Sequence, residues 1–182
     1  MQTEKQIVES VKKGERKGQD ELVSRFAAPV FAMIARQVQD SMDAQELLQD
    51  TFLKAFRYIG RFDDRQSSLT TWLCRIAYQQ TIDFLRRHQP ITVSLEDSSV
   101  WQTDISDTEL ETELSTGKEQ RIEQLETLMK ELPHEDRMLL TLYYFDDLPL
   151  NEITYIMGID ANALASRLYR IRKKLYKKLT AI

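Results

Sequence analysis

The chain has 182 residues, 25 Lys+Arg against 29 Asp+Glu, and a single cysteine, Cys74. It is long enough to bury a core unaided, an internal disulfide is excluded, and the two distant histidines, His88 and His134, show no metal-ligand spacing. No apolar run nears the roughly 18 residues of a membrane span and the N-terminus lacks a secretory apolar region, so the expectation is a cytoplasmic protein without membrane insertion, metal or cofactor.

The first helical stretch, residues 19–39, spaces Leu22, Val23, Phe26, Val30, Ile34 and Val38 on one side, with Pro29 as a kink. Residues 43–59 place Leu48, Phe52, Ala55 and Ile59 on one stripe and Asp43, Glu46 and Asp50 on the opposite face, with Asp43 as the expected N-cap. A turn follows at residues 61–67. In residues 68–87, Leu69, Trp72, Leu73 and Ile76 share a stripe, but continuing that phase would bury Gln80, Asp83 and Arg87. Three buried polar groups are unfavourable. Ile82, Phe84 and Leu85 begin a new phase, so a break is expected near residues 78–81. Trp72, Arg75, Tyr78, Arg86 and Arg87 around such a break suit unstacked bases and phosphates. The competing reading makes Trp72 and Tyr78 core residues, and on composition alone it is the stronger.

Residues 90–118 read as an acidic flexible linker, since residues 89–119 hold 8 acidic groups against 1 basic. Fully extended, it reaches on the order of 100 Å. Trp101 stands alone within it. Beyond it, Ile122, Leu125, Leu128, Met129 and Leu132 form an amphipathic helix stopped by Pro133. A helix over residues 135–145, a turn at Asp146–Asp147 and a short helix over residues 150–157 follow, the last with Ile153 and Ile156 inward. Gly158 ends that helix, Asp160 caps the next, and residues 161–179 carry Leu164, Leu168, Ile171, Leu175 and Leu179 on one stripe.

Short helix, glycine turn, buried isoleucine and capped helix describe a helix-turn-helix. Its second helix would offer Ala161, Asn162, Ala165, Ser166, Tyr169 and Arg170 to base edges. Arg167, Arg172, Lys173, Lys174, Lys177 and Lys178 would meet phosphates. Residues 160–182 hold 7 basic groups against 1 acidic, so the net acidity of the chain hides a basic C-terminus. The expected fold is all-α: two small helical domains, residues 1–89 and 119–182, joined by the linker.

Two stretches together resemble a bacterial sigma factor of the extracytoplasmic-function group. Residues 43–87, DAQELLQDTFLKAFRYIGRFDDRQSSLTTWLCRIAYQQTIDFLRR, are similar to sigma region 2. Residues 132–179, LPHEDRMLLTLYYFDDLPLNEITYIMGIDANALASRLYRIRKKLYKKL, are similar to sigma region 4. The resemblance implies binding to core RNA polymerase and direction of it to promoter DNA. It assigns Asp43, Glu46, Gln49, Asp50 and Phe52 to the polymerase clamp. It assigns Trp72, Arg75, Tyr78, Gln79, Arg86 and Arg87 to the minus-ten element, with a flipped base captured at the expected break. It assigns Asn162, Ser166, Arg167, Tyr169, Arg170 and Lys174 to the minus-thirty-five element. It further implies control by an anti-sigma factor. The chain departs from the usual pattern at Ala165, where a basic residue is frequent, at Gln79 for asparagine, and at Thr154 for a small residue; these positions bear on promoter sequence.

No catalytic reading survives, so the chain is expected not to be an enzyme. Asp63–Asp64 and Asp146–Asp147 read as turn residues and Cys74 as a packing residue. Two rivals remain: a sigma mimic that titrates an anti-sigma factor, and an independent helix-turn-helix regulator. Retention of Trp72, Arg86, Arg87, Arg167 and Arg170 argues against the mimic, and the 43–87 motif against the regulator.

Overall fold

The computed structural model describes residues 2–88 and 127–180, and every regular element among them is a helix. The linker, Trp101 and the start of the 122–132 helix lie outside the described residues. In chain order come α1 (Glu4–Lys12), α2 (Arg16–Ala35), α3 (Ser41–Tyr58), a single 3₁₀ turn (Ile59–Arg61) and α4 (Leu69–His88). After residues 127–130, which are helical, come α5 (His134–Leu140), a wider π-type turn (Thr141–Phe145), α6 (Leu150–Met157) and α7 (Ala161–Thr180).

Helix α1 precedes the first stretch predicted from sequence. A capping box starts it: Thr3 Oγ1 accepts the Gln6 N–H at 3.3 Å, and Gln6 Oε1 accepts the Thr3 N–H at 2.9 Å. It packs on α2 through Ile7, Val8 and Val11. The approach is close at Gly18, where a Cβ would fall 2.5 Å from Ser10 Oγ and 2.9 Å from the Val11 amide nitrogen. Helix α2 runs through Pro29 and stops at Ala35, short of the predicted end; Val38 is still buried, in the turn that follows. The N-cap of α3 is Asp40 rather than Asp43. Its carboxylate accepts the N–H groups of Met42 at 2.8 Å and Asp43 at 3.1 Å, so the helix begins at Ser41.

The expected break in the 68–87 stretch is absent. Helix α4 is continuous, and Tyr78, Thr81, Ile82 and Leu85 are all buried in it. The change of apolar phase reflects two packing partners. Leu69, Leu73, Ala77, Thr81 and Leu85 follow one stripe and are fully buried. Thr71, Arg75, Tyr78, Ile82 and Arg86 recur at i, i+4, i+7, i+11 and i+15, a second stripe. Helix α4 accordingly packs on α2 and α3 and also on α5 and α6. A helix covered on two sides shows two apolar stripes without any interruption of its backbone.

The second module is built as expected around its turn. Helix α6 buries Ile153 and Ile156 and ends at Gly158, whose φ of 70° is left-handed. Asp160 accepts the Ala163 N–H at 2.9 Å and so caps α7. Met138, Leu139 and Leu142 from the preceding segment complete this core with Leu164 and Leu168. Buried side chains of the two modules form one continuous cluster.

Candidate polymerase and nucleic-acid interfaces

Helix α3 presents an exposed polar face. Glu46, Gln49 and Asp50 are exposed, and Asp43 is half-buried beside them. Phe52 is different: only 4% exposed, it packs in the core with its ring centroid 6.3 Å from that of Phe56. The stripe that includes Ala44, Leu47 and Ala55 turns it inward, so it supports the face rather than belonging to it. Met42, 80% exposed, and Leu53, 63% exposed, were not singled out from the sequence. They add apolar surface to the acidic face, and their signal was their position off the α3 core stripe.

The six α4 residues assigned to the minus-ten element fall into three groups. Gln79, Arg86 and Arg87 are exposed, whereas Arg75 is half-buried. Trp72 and Tyr78 are buried, as their core reading required. Trp72 packs edge-on against Phe62, with ring centroids 5.7 Å apart. Burial pushes the Tyr78 phenol up, and the charge of Glu135 adds to the shift. Irregular backbone does exist beside Trp72, but it lies at residues 62–68, before α4, and not at residues 78–81. Asp63 in that loop is held below the usual carboxylate range by its hydrogen bonds to Arg65.

On α7, Asn162, Ser166, Arg170 and Lys174 are exposed along the outer face, with Tyr169 half-buried at its edge. Arg167 is turned back within its own module, where Nε donates to Asp136 at 2.5 Å. Arg172 and Lys173 correct the expectation that they meet phosphates. They are 7% and 6% exposed. The Arg172 guanidinium lies 5.5 Å from the Tyr143 ring and 6.0 Å from that of Tyr144, while Lys173 Nζ sits 5.9 Å from the Tyr169 ring. The π-type turn delivers Tyr143 and Tyr144, and apolar stems with cationic heads can lie against aromatic faces.

The two modules meet through polar contacts along the second α4 stripe and at the end of α2. Thr71 Oγ1 donates to Glu152 at 2.8 Å. Arg75 Nη1 donates to the Tyr155 carbonyl at 2.7 Å, and its guanidinium lies over the Tyr155 ring. Arg86 forms an ion pair with Glu135, and Arg36 forms one with Asp146. Between these, buried Gln37 donates to Thr141 at 2.9 Å and accepts from Arg137 at 3.0 Å. Partial burial disfavours the Glu135 carboxylate, but the hydrogen bond and charge of Arg86, helped by Arg167, hold it below the usual range. Burial pushes the Cys74 thiol up to about 12, with a further push from the charge of Glu152. A thiol so raised is protonated and inert at neutral pH.

Comparison with known proteins gives two family matches, sigma-70 region 2 over residues 22–91 and sigma-70 region 4 over residues 122–175. The RNA polymerase sigma-H factor of Pseudomonas aeruginosa is 30% identical, covering 97% of this chain and 93% of that relative. The ECF RNA polymerase sigma factor SigM of Bacillus subtilis is 30% identical, covering 86% of this chain and 91% of its own length. Among solved structures, CnrH in complex with the cytosolic domain of CnrY has a similar fold. Its TM-score is 0.62 at 19% identity, with 96% of each chain covered.

Proposed function

We propose, since this chain belongs to the extracytoplasmic-function group of the sigma-70 family, that it joins core RNA polymerase and directs it to specific promoters. Residues 1–89 act on polymerase and the minus-ten element, residues 119–182 on the minus-thirty-five element, and residues 90–118 connect them. The carrying observation is the helix-turn-helix built by Gly158 and Asp160, with Asn162, Ser166 and Arg170 exposed on α7. An exposed helix of this kind enters the major groove with its N-terminal residues on base edges. Arg170 suits guanine O6/N7, Asn162 suits adenine N6/N7, and Lys174 suits a phosphate.

Polymerase contact falls to Glu46, Gln49 and Asp50, with Met42 and Leu53 beside them. At the minus-ten element, Arg75, Gln79, Arg86 and Arg87 contact the strand. Base capture moves from the break once expected within α4 to the loop at residues 62–68, next to Trp72. Extruding a base costs a few kcal/mol, offset by contacts in its pocket. The chain contributes binding and strand separation, and bond formation belongs to the polymerase; it is not itself an enzyme. Its place of action is the cytoplasm, and among the described residues no helix is long and apolar enough to cross a membrane. Control by an anti-sigma factor belongs to the same proposal.

Co-elution with purified core polymerase on gel filtration tests the polymerase half. The full chain should co-elute, and Glu46→Lys with Asp50→Lys should weaken the complex while preserving far-UV helicity. A chain that never co-elutes with core refutes the reading.

A further inference from the structure

We propose that Met42 is an oxidation site: a peroxide converts its thioether to the sulfoxide, and the conversion releases the chain from core RNA polymerase. The inference deepens the proposed function and rests on its assignment of α3 to polymerase.

The sulfur atoms of the chain divide sharply by exposure. Among the described residues, Met33, Met138, Met157 and Cys74 are buried and Met129 is partly buried. Met42 is open to solvent, with 80% of its surface exposed. Oxidation of sulfur follows access. The Cys74 thiol offers no competing site: burial pushes it up to about 12, so the reactive thiolate is scarce at neutral pH. The Met42 sulfur attacks one peroxide oxygen, and the S–O bond forms as the O–O bond breaks. Sulfur gives up two electrons, and the second oxygen leaves as hydroxide, which takes a proton to become water. The side chain passes from apolar to polar, and a methionine sulfoxide reductase reverses the change.

The surroundings of Met42 give the change its effect. Met42, Glu46, Gln49 and Leu53 stand at i, i+4, i+7 and i+11, one exposed stripe of α3. Eleven residues at 1.5 Å each put its two apolar ends roughly 16 Å apart. Glu46 and Gln49 lie between those ends, with Asp50 and half-buried Asp43 alongside. Exposed charges steer an encounter, whereas apolar side chains buried by the partner hold it. Ala44 and Leu47 are turned into the core, so Met42 is the apolar anchor at the N-terminal end of the stripe. Asp40 fixes the backbone there, since its carboxylate accepts the Met42 N–H at 2.8 Å. A sulfoxide removes one of two anchors and leaves the fold intact, because the Met42 side chain takes no part in the core.

The test compares each full-length chain with its own untreated sample. Wild type and Met42→Leu are treated with dilute hydrogen peroxide, which is removed before untreated core polymerase is added. Peptide mass spectrometry reads which methionine has gained an oxygen, and biolayer interferometry on immobilised core polymerase reads both rates. In the wild type Met42 should oxidise ahead of Met33, Met138 and Met157. Its affinity should fall about tenfold, through faster dissociation at an unchanged association rate. The Met42→Leu chain should hold its own untreated affinity after peroxide, and a methionine sulfoxide reductase should return the oxidised wild type to its starting affinity. Untreated Met42→Gln, with a polar side chain in place of the thioether, should bind about as weakly as the oxidised wild type. Oxidation of Met42 no faster than the buried methionines overturns the site. Complete conversion without loss of affinity, equal losses in wild type and Met42→Leu, or a Met42→Gln chain as tight as wild type overturns its control of polymerase binding. A loss carried by the association rate counts against the anchor. An untreated wild type that never binds core refutes the polymerase assignment itself, and the switch falls with it.

Discussion

Replacing Gly158 with alanine isolates the turn on which the reading helix depends. Gly158 has φ 70° and ψ 31°, in the left-handed region. An L-residue there costs about 1–2 kcal/mol. A steric contribution can be assessed separately: a Cβ at this position would lie 3.6 Å from Arg75 Nη2, an ordinary contact with the end of a flexible side chain. The whole penalty is therefore backbone strain, about 1–2 kcal/mol. For a domain of 150–250 residues each kcal/mol lowers Tm by about 2–4 °C, so the expected fall is about 2–8 °C. Thermal unfolding of the full chain by circular dichroism measures it. Gly158→Asn should lose less, since asparagine tolerates the left-handed region better. An alanine variant as stable as wild type, or an asparagine variant less stable than the alanine one, would refute the argument.

Further expectations concern reading, closure and packing. Arg170→Ala should cost about 1–3 kcal/mol on a cognate promoter and relax preference at one position, whereas Lys174→Ala should weaken all promoters alike and lower the salt slope by about 1, both measured by fluorescence binding across a promoter series. Acidification should loosen the contact between the two modules. Glu135 is faced by Arg86 and Tyr78 from α4, by Arg167 from α7 and by neighbouring Asp136, and its carboxyl is held below the usual range. Its contribution is thus complete above the ordinary carboxylate pKa and is lost as pH falls through the lowered one; scattering between pH 7 and pH 4 should show expansion, and expansion on going from pH 7 to pH 9 instead would contradict it. Leu73→Ala, at a fully buried site, should cost about 2–5 kcal/mol in urea unfolding. The Cys74 thiol should react slowly with a disulfide reagent at pH 8 and faster in the Glu135→Arg, Asp146→Arg variant, because burial, with a further push from the charge of Glu152 in the second module, raises it.

The helix-turn-helix was legible because its signals are local. A glycine past the last turn, an aspartate at the cap and leucines at helical spacing act within a few residues of chain. The acidic face of α3 was legible for the same reason, although Asp40 took the capping role expected of Asp43. What periodicity could not show is which neighbour a second stripe packs against. In α4 the new phase at Ile82, Phe84 and Leu85 suggested a break, when Ile82 in fact lies with Tyr78 on the face turned toward α5 and α6. Arg172 and Lys173 were misread because their partners, Tyr143, Tyr144 and Tyr169, stack on cations that composition alone assigns to phosphate. Phe52 was placed on the polymerase face though its own stripe turned it inward. The contacts between modules were illegible for a related reason. Arg36, Arg86, Glu135 and Asp146 are ordinary surface residues in each module taken alone.

Run-off transcription with purified core polymerase on fragmented DNA of the host genome shows whether this chain selects promoters. Discrete start sites should appear only with this chain and share two upstream elements. Absence of any chain-dependent transcript, together with failure to bind core polymerase, would contradict it.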